Sequence, residues 1–204
     1  MNTIARQALA GLRLIVVMTV ILGIAYPLAV WAVTHLPGLS SHAEGSVITQ
    51  NGAPVGSSLI GVDPVPANPA ADPYFHTRPS ASAKDVLGPG DPSTSGGSNL
   101  AGDSDKLLKA VEQRRVLIAT REGVAPAAVP ADAVTASASG LDPDISRAYA
   151  ELQVARVARV TGLPVDQVRR LVAEHTDGRF AGVLGDPGVN VIELNLAVAA
   201  ARVR

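Results

Sequence analysis

The chain contains no cysteine and few aromatic residues. These two features limit the kinds of site and the kind of core that it can form. Without cysteine among its 204 residues, disulfides, thiolate metal ligands and cysteine nucleophiles are excluded together. Aromatic residues make up only 3% of the chain, so its core must be built from small aliphatic side chains. The formal net charge of −1 lacks the basic footprint that nucleic-acid binding requires, which excludes that class of partner.

Motifs of the common catalytic and metal sites are also missing. The sequence has no HExxH zinc motif, no GxSxG nucleophile motif and no P-loop. The histidines are scattered, and none is paired at the spacing of metal ligands. They are His35, His42, His76 and His175. We therefore expect no metal site, no catalytic residue and no cofactor held by this chain alone.

Charge is absent from one long apolar stretch, Leu14 to Leu36. At about 1.5 Å per residue, a helix of this length spans the roughly 30 Å hydrocarbon core of a bilayer. The alternative is a signal peptide cleaved near Ser41-His42-Ala43, but the apolar run is far longer than the usual signal core. The stretch therefore predicts a retained transmembrane helix over residues 14–36.

Basic residues near this helix lie only on its N-terminal side. Arg6 and Arg13 precede it, and no Lys or Arg follows until Arg78. Because positive charge close to a membrane helix stays in the cytoplasm, residues 1–13 are predicted to be a cytoplasmic tail. Residues 37–204 are predicted to be one extracytoplasmic α+β domain, which makes the chain a single-pass protein of the cell membrane.

Small residues and one proline mark a candidate contact face on the helix. Small side chains let another helix approach closely in lipid, and a proline removes a backbone hydrogen bond and bends the helix. The candidate packing residues are Gly23, Ala25, Pro27, Ala29 and Ala32. The alternative is a plain alanine-rich anchor. Because the helix has no charge at membrane depth, it cannot form an ion pathway alone, so we expect it to attach to a partner.

Turn and capping residues predict the elements of the outer domain. Asn51-Gly52 predicts a β-hairpin, because both residues tolerate positive φ. Residues 63–102 form a long irregular region that is rich in proline and glycine. Three helices are predicted next: from Asp103 or Ser104 to about Arg121, from a cap at Asp142 with Pro143 in the first turn to Thr161, and from Pro164 to about Asp177. Residues 190–199 fit either a strand or a helix capped by Asn190 with Glu193 three residues on.

The irregular region holds an aromatic pair, Tyr74 and Phe75, beside Arg78. If exposed, these three residues form a candidate docking site for a partner. The favoured alternative is that the aromatic rings pin the region to the core, as aromatic residues of a small domain usually do. Asp142 and Asp144 likewise fit an acid pair or a calcium corner, but helix capping explains them better.

Several sequence motifs occur along the chain in the same order as in a known protein family. They are Tyr74-Phe75-x-x-Arg78-Pro79-Ser80-Ala81, Ser95-Gly96-Gly97-Ser98-Asn99-Leu100, Val134-Thr135-Ala136-Ser137-Ala138-Ser139-Gly140-Leu141-Asp142-Pro143-Asp144-Ile145-Ser146, Gln153-Val154-x-Arg156-Val157-Ala158, His175-Thr176 and Leu184-Gly185-Asp186-Pro187-x-Val189-Asn190-Val191-x-Glu193-Leu194-Asn195-Leu196-Ala197. With the single N-terminal membrane helix, they cover nearly the whole chain. The chain thus resembles the C subunit of the Kdp potassium-transporting ATPases.

The resemblance implies a heteromeric pump whose transported ion is potassium. One partner subunit would hydrolyse ATP through a phosphorylated aspartate, and another would form the potassium-selective pathway. The C subunit would be the accessory member, needed for assembly and described as a catalytic chaperone that raises the ATP affinity of the hydrolysing subunit. This sequence lacks the Asp-Lys-Thr-Gly-Thr phosphorylation motif, so we expect it to be no enzyme by itself.

A nucleotide site on this chain conflicts with the predicted topology, because assisting ATP binding requires cytoplasmic exposure. If there is such a site, its candidates are Ser137, Gly140 and Gln153, a small-residue turn and a polar position on the following helix. The alternative is that Gln153 is an ordinary polar residue of that helix. Two other function classes compete: a membrane-tethered extracytoplasmic ligand-binding module with residues 63–102 as its lid, and a secreted enzyme, which the missing catalytic motifs disfavour.

Overall fold

The chain divides into two compact units, Met1–Val47 and Ile48–Arg204, and the computed structural model describes residues 2–202 of it. The first unit is helical. The second unit contains helices together with one two-stranded and one three-stranded sheet. Helices and small sheets in one chain confirm the predicted α+β class.

The first unit is built around one long apolar helix. It consists of α1 (Thr3–Val20), a π-helical turn (Ile21–Ala25) and α2 (Tyr26–Thr34). Together they form a helix of 32 residues whose apolar window has a mean hydropathy of 2.4. This length and composition suit a membrane span, which confirms the single N-terminal apolar helix. Residues 3–13, predicted to be a tail, belong to the same helix.

The π-helical turn ends two residues before Pro27. Proline has no amide hydrogen, and its ring crowds the carbonyl of the preceding turn, so the backbone widens there instead of keeping regular α-helical bonds. A short helix, α3 (Ser40–Ala43), follows the long one, and near it His35 Nε2 lies 3.3 Å from Glu44 Oε1.

The β-hairpin predicted at Asn51-Gly52 is present. Strand β1 (Val47–Gln50) pairs with β2 (Ala53–Ser57) in the two-stranded sheet. Asn51 and Gly52 have φ values of 52° and 79°, the left-handed pair that a tight hairpin turn requires. The prediction of a hairpin at these turn residues is confirmed.

Helix α4 (Asp105–Glu122) follows the irregular region, as its capping residues predict. Ser104 caps its start by accepting a hydrogen bond from the Leu107 amide at 3.4 Å. Gly123 ends it in the left-handed conformation, with a φ of 70°. A 3₁₀ turn (Pro126–Ala128) and the short helix α5 (Ala131–Val134) come next.

Helix α6 (Arg147–Thr161) begins later than the sequence predicts. Ser146 is its cap and accepts a hydrogen bond from the Tyr149 amide at 3.0 Å. Asp142, the predicted cap, instead accepts a bond from the Asp144 amide within a turn. Residues Asp144–Ile145 form strand β3, which pairs with a strand far along the chain. The Asp142 prediction is wrong because this pairing holds the segment extended.

The last elements complete a three-stranded antiparallel sheet. Helix α7 (Val165–Glu174) precedes β4 (Thr176–Asp177), strand β5 (Gly188–Asn190) lies between β3 and β4, and α8 (Val191–Arg202) follows directly. Asn190 accepts a bond from the Glu193 amide at 3.2 Å, so the helical alternative for residues 190–199 is confirmed from Val191 onward. Helix α7 stops short of the predicted Asp177 because that residue pairs with Gly188.

The core of the second unit is formed by helices α4, α6, α7 and α8 with the three-stranded sheet. Its members are mostly small aliphatic residues, as the low aromatic content requires, with Phe75 and Tyr149 as the large exceptions. Deeply buried members include Ile118, Val134, Ile145, Val154, Val157, Val168, Val189 and Leu194. Since Phe75 comes from the irregular region, that region is anchored in the core.

Candidate functional site

Residues 72–80, here called the strap, cross the core without regular secondary structure. Two side-chain amides take the place of a neighbouring strand. Asn195 of α8 bonds both backbone groups of Phe75, at 2.7 Å from the nitrogen and 2.8 Å from the oxygen. Gln153 of α6 bonds both backbone groups of His76, at 2.8 and 3.3 Å. The buried backbone of the strap is thereby satisfied at these two residues.

Arg156 of α6 holds the N-terminal half of the strap. Its guanidinium donates to the carbonyls of Asp72 and Tyr74 at 2.8 and 2.9 Å, and to Gln153 Oε1 at 3.1 Å. Its charge is balanced by Glu122 of α4, whose Oε2 lies 3.0 Å from Arg156 Nε. Because both side chains are buried, loss of either one would leave the other without its nearest counter-charge in the core.

Arg121 and Tyr149 extend this pairing. Arg121 Nε lies 2.7 Å from Glu122 Oε1, and Arg121 Nη2 donates to the Tyr149 hydroxyl at 3.1 Å. Burial raises the pKa of Tyr149 to about 12, although the charge of Arg121 favours its ionised form. Burial lowers the pKa of Arg121, but its interactions with Tyr149 and Glu122 outweigh burial and raise that pKa above its ordinary value. The phenol is therefore neutral and the guanidinium charged.

His76 lies between two carboxylates. Its Nδ1 is 3.0 Å from Asp63 Oδ1, and its Nε2 is 2.6 Å from Asp72 Oδ2. Burial raises the pKa of Asp72, but the hydrogen bond and charge of His76, with smaller contributions from Tyr74 and Arg156, bring it below its ordinary value. We call Asp63, Asp72, His76, Arg121, Glu122 and Arg156 the buried ionic cluster.

Residues 137–140, here called the serine turn, pack on the C-terminal end of the strap. The Ser137 amide donates to the Pro79 carbonyl at 2.9 Å, and the Ser137 hydroxyl accepts from the Gly140 amide at 3.1 Å. Gly140 has a φ of 72°, and a Cβ there would lie only 2.9 Å from the Gly96 carbonyl oxygen. Position 140 therefore requires glycine both for its conformation and for the close approach of the glycine-rich segment.

The three candidate nucleotide-binding residues do not share one exposed surface. Ser137 and Gly140 lie together in the serine turn and are buried, whereas Gln153 contacts the strap at His76 and is 0% exposed. Both polar atoms of the Gln153 amide are bonded inside the domain. A nucleotide would reach this residue only after the strap had moved. The nucleotide role of these residues stays a prediction.

The three docking candidates lie in different environments. Phe75 is 0% exposed, which confirms that it pins the irregular region to the core. Tyr74 is 36% exposed and lies at a groove of about 410 Å³ between residues 61–64 and α8, here called the groove. Arg78 Nη1 donates to Asp142 Oδ2 at 3.0 Å. A docking role for Tyr74 and Arg78 stays a prediction.

The acid pair, Asp142 and Asp144, lies near Asp177 of the sheet. Burial raises the pKa of Asp144, and the negative charges of Asp142 and Asp177 raise it further. Within residues 2–202, no three side chains of His, Asp or Glu are grouped so that they could hold a metal ion.

Known proteins match this chain from its long helix to its last helix. Residues 8–200 match the family of the K⁺-transporting ATPase c chain, KdpC. The chain belongs to the KdpC family. The resemblance that the strap, serine-turn and α8 motifs indicate is therefore confirmed.

Individual KdpC proteins are similar over nearly their full length. The potassium-transporting ATPase KdpC subunit of Kineococcus radiotolerans is 50% identical over 201 residues, which cover 98% of this chain and 97% of the relative. The subunit of Variovorax paradoxus is 48% identical over 201 residues, with the same coverage of both chains. The subunit of Mycobacterium tuberculosis is 44% identical over 195 residues, 95% of this chain and 97% of the relative.

The buried ionic cluster of this KdpC chain is what sequence reasoning missed. One signal could have revealed part of it. Tyr149, Gln153 and Arg156 recur at the spacing of one helix face, and Val157 on that face is buried. Long polar side chains on a face that also enters the core indicate an internal hydrogen-bond network.

Proposed function

We propose that this KdpC chain is the accessory, non-catalytic subunit of an ATP-driven potassium uptake complex. The observation that carries the proposal is the family match over residues 8–200, joined to one long apolar helix and a separate α+β unit. The relatives are named as subunits of a potassium-transporting ATPase. The missing Asp-Lys-Thr-Gly-Thr motif supports a role without hydrolysis, so an ATP-hydrolysing and a potassium-translocating subunit would be its partners.

The proposed topology is single-pass, with residues 1–13 in the cytoplasm, residues 14–36 in the cell membrane and residues 37–204 outside the cytoplasm. Arg6 and Arg13 support this orientation, because basic residues close to a membrane helix favour the cytoplasmic side. The 64 positions from 14 to 77 carry no Lys or Arg, so no competing positive charge lies directly beyond the helix.

The long helix is proposed to be an assembly element as well as an anchor. All of its side chains from Leu14 to Val33 are exposed in the isolated chain. A shallow groove of about 260 Å³ lies on its surface, lined by Tyr26, Ala29, Val30, Val33 and Thr34. The other candidate packing residues, Gly23, Ala25, Pro27 and Ala32, lie on the same exposed helix, where small side chains would allow a partner helix a close approach in lipid.

Co-purification with the partner subunits tests assembly. A tagged full-length chain is made together with the other subunits, solubilised in detergent and captured. We expect Ala29→Leu with Ala25→Leu to reduce the captured partners at least several-fold, because added bulk separates the helices. The matched control, Ile24→Phe, adds bulk to another face and should leave capture intact. Unchanged capture with the alanine variants would contradict the membrane half of the proposal.

The finer part of the proposal is that the chain raises the ATP affinity of the hydrolysing subunit. Its candidate nucleotide contacts are Ser137, Gly140 and Gln153. Equilibrium binding of ATP to the detergent-purified chain tests them directly. Saturable binding that Ser137→Ala weakens would support a site here. An absence of saturable binding would retire the site and leave any ATP to the hydrolysing subunit.

A membrane-tethered ligand-binding module is the second candidate function. The groove favours it, because its volume of about 410 Å³ and its mainly apolar lining are typical of small-molecule sites. The capture experiment separates the two functions. A chain that is recovered alone from a host making the whole complex would favour the binding module over the pump subunit.

A further inference from the structure

The π-helical turn of the long helix shifts its backbone hydrogen bonds by one residue. The Tyr26 amide donates to the Ile21 carbonyl, five residues back, and not to the Leu22 carbonyl, four residues back. In this register the next amide would reach the Leu22 carbonyl. The next residue is Pro27, which has no amide hydrogen. The Leu22 carbonyl is therefore left without a donor from the turn that follows it.

The threonines of the long helix do not replace the missing donor. Thr19 is the nearest hydroxyl residue in sequence, and its methyl group faces Gly23, with Cγ2 3.9 Å from where a Cβ would stand. Thr34 donates to the Trp31 carbonyl at the far end of the helix, at 3.0 Å. Neither hydroxyl bonds Leu22 in the described part of the helix, so the chain does not satisfy this carbonyl by itself.

The Leu22 carbonyl lies deep in the proposed membrane span. Residue 22 is three residues, or about 4.5 Å along the helix axis, from residue 25 in the middle of the span over residues 14–36. Hydrocarbon offers no hydrogen-bond donor, and a backbone group that stays unsatisfied there is costly. Gly23 has no side chain to cover the backbone, and every side chain from Leu14 to Val33 is exposed. The carbonyl is open to a donor from outside the chain.

We propose that the Leu22 carbonyl accepts a hydrogen bond from a hydroxyl or amide side chain on a transmembrane helix of a partner subunit. The inference rests on the proposed function, because it requires a partner helix in the same complex. It adds a chemical requirement to the close approach that small residues allow, since a polar side chain of the partner has to meet one backbone atom of this chain. Such a bond fixes the position of the partner helix along the long helix.

Carbonyl ¹³C NMR of the full-length chain in bilayers, alone and combined with unlabelled partner subunits, tests the proposal. Labelling with [1-¹³C]leucine and [¹⁵N]glycine selects the three Leu–Gly peptide bonds, which follow Leu22, Leu87 and Leu184. Leu22→Ile identifies the first signal by its loss. We expect the Leu22 signal to move downfield on assembly, as a carbonyl does when it gains a hydrogen bond. The Leu184 carbonyl, which already accepts from the Phe180 amide at 2.8 Å, is the reference for a bonded carbonyl.

Assembly and the hydrogen bond are measured separately in this experiment. A complex that forms while the Leu22 signal keeps its position would overturn the hydrogen bond and leave the proposed function intact. A Leu22 signal that is already typical of a bonded carbonyl in the chain alone would also overturn it. A chain that captures no partner subunit would overturn both the inference and the proposed function.

Two variants at position 26, both of which keep Pro27, test whether the hydrogen bond contributes to assembly. A threonine hydroxyl can donate to the carbonyl four residues earlier, so Tyr26→Thr supplies the missing donor within the chain. Tyr26→Val has nearly the same shape without the hydroxyl. We expect Tyr26→Thr to capture about threefold less partner than Tyr26→Val, the effect of one hydrogen bond between membrane helices. Equal capture by the two variants would show that the carbonyl contributes nothing to assembly, and the inference would be wrong.

Discussion

Arg156 Nε lies 3.0 Å from Glu122 Oε2, and this ion pair joins α6 to α4 with side chains that are 3% and 0% exposed. The same guanidinium holds two carbonyls of the strap. A buried ion pair adds little stability over a well-packed apolar pair. Removing only one of the two partners is strongly destabilising, because the other charge stays buried without its partner. The pair therefore serves mainly to hold the strap in one position relative to the two helices.

Glu122→Gln is expected to lower the free energy of unfolding by about 3 kcal/mol, because it leaves Arg156 and Arg121 without their shared counter-charge in the core. Urea unfolding of the detergent-purified chain, followed by circular dichroism, measures this change. The control is Glu151→Gln, which breaks the solvent-exposed pair with Arg169 and should leave the free energy of unfolding nearly unchanged. Equal costs for the two variants would contradict a special role for the buried pair.

A comparison of Phe75→Ala with Tyr74→Ala should distinguish a packing role from a docking role for these two aromatic residues. Removing the fully buried Phe75 ring should destabilise the second unit by about 3–5 kcal/mol through the cavity it leaves. Tyr74 is partly exposed, so its removal should cost far less stability. If Tyr74 docks a partner, its variant should lower subunit capture while the urea midpoint stays nearly unchanged. A stability loss as large as that of Phe75→Ala would show that Tyr74 is a core residue instead.

Local signals in the sequence were sufficient for elements whose ends are set by their own residues. The Asn51-Gly52 turn lies where it was predicted, and α4 starts after Ser104, one of the two residues that were predicted to begin it. Asp142 was wrongly predicted to cap a helix, because a carboxylate before a proline is a good helix start. The backbone there is instead set by strand pairing with residues near position 190. Such a long-range pairing leaves no local mark.

The candidate site was less accessible to sequence reasoning for the same reason. Gln153 was recognised as a polar residue of α6, but its partner His76 is 77 residues away along the chain. Phe75 and Asn195 are separated by 120 residues. Composition and spacing identify the polar residues on such a face, whereas only the fold determines which backbone groups they meet.

Tyr149 should ionise at unusually high pH. Burial raises its pKa to about 12, so a spectrophotometric titration of the unaltered chain minus that of Tyr149→Phe should give a phenolate curve centred near that value. A curve centred near the ordinary tyrosine pKa of about 10 would show that the phenol is not enclosed. Tyr149→Phe should also destabilise the chain by about 1–3 kcal/mol, because the partly buried Arg121 loses an acceptor.

Asp72 and Asp144 should contribute to stability in opposite ways, because folding lowers the pKa of Asp72 and raises the pKa of Asp144. The folded-state pKa of Asp72 lies below its value in the unfolded chain, so its contribution is present above the unfolded value and is lost as pH falls through the folded-state pKa. Asp72→Asn should therefore flatten the decline of the thermal midpoint in acid.

The pKa of Asp144 is raised by burial and by Asp142, so Asp144→Asn should raise the midpoint at neutral pH. A lower midpoint for Asp144→Asn would contradict this.

Orientation in the membrane can be measured cleanly because the chain has no cysteine of its own. Ala127→Cys places one thiol on an exposed turn of the second unit, and Thr3→Cys places one at the start of α1. A membrane-impermeant maleimide given access to the outer face of intact cells should label position 127 and not position 3, whereas both should react after lysis. Labelling of position 3 alone in intact cells would reverse the orientation that Arg6 and Arg13 predict, and it would put the second unit on the side where ATP is bound.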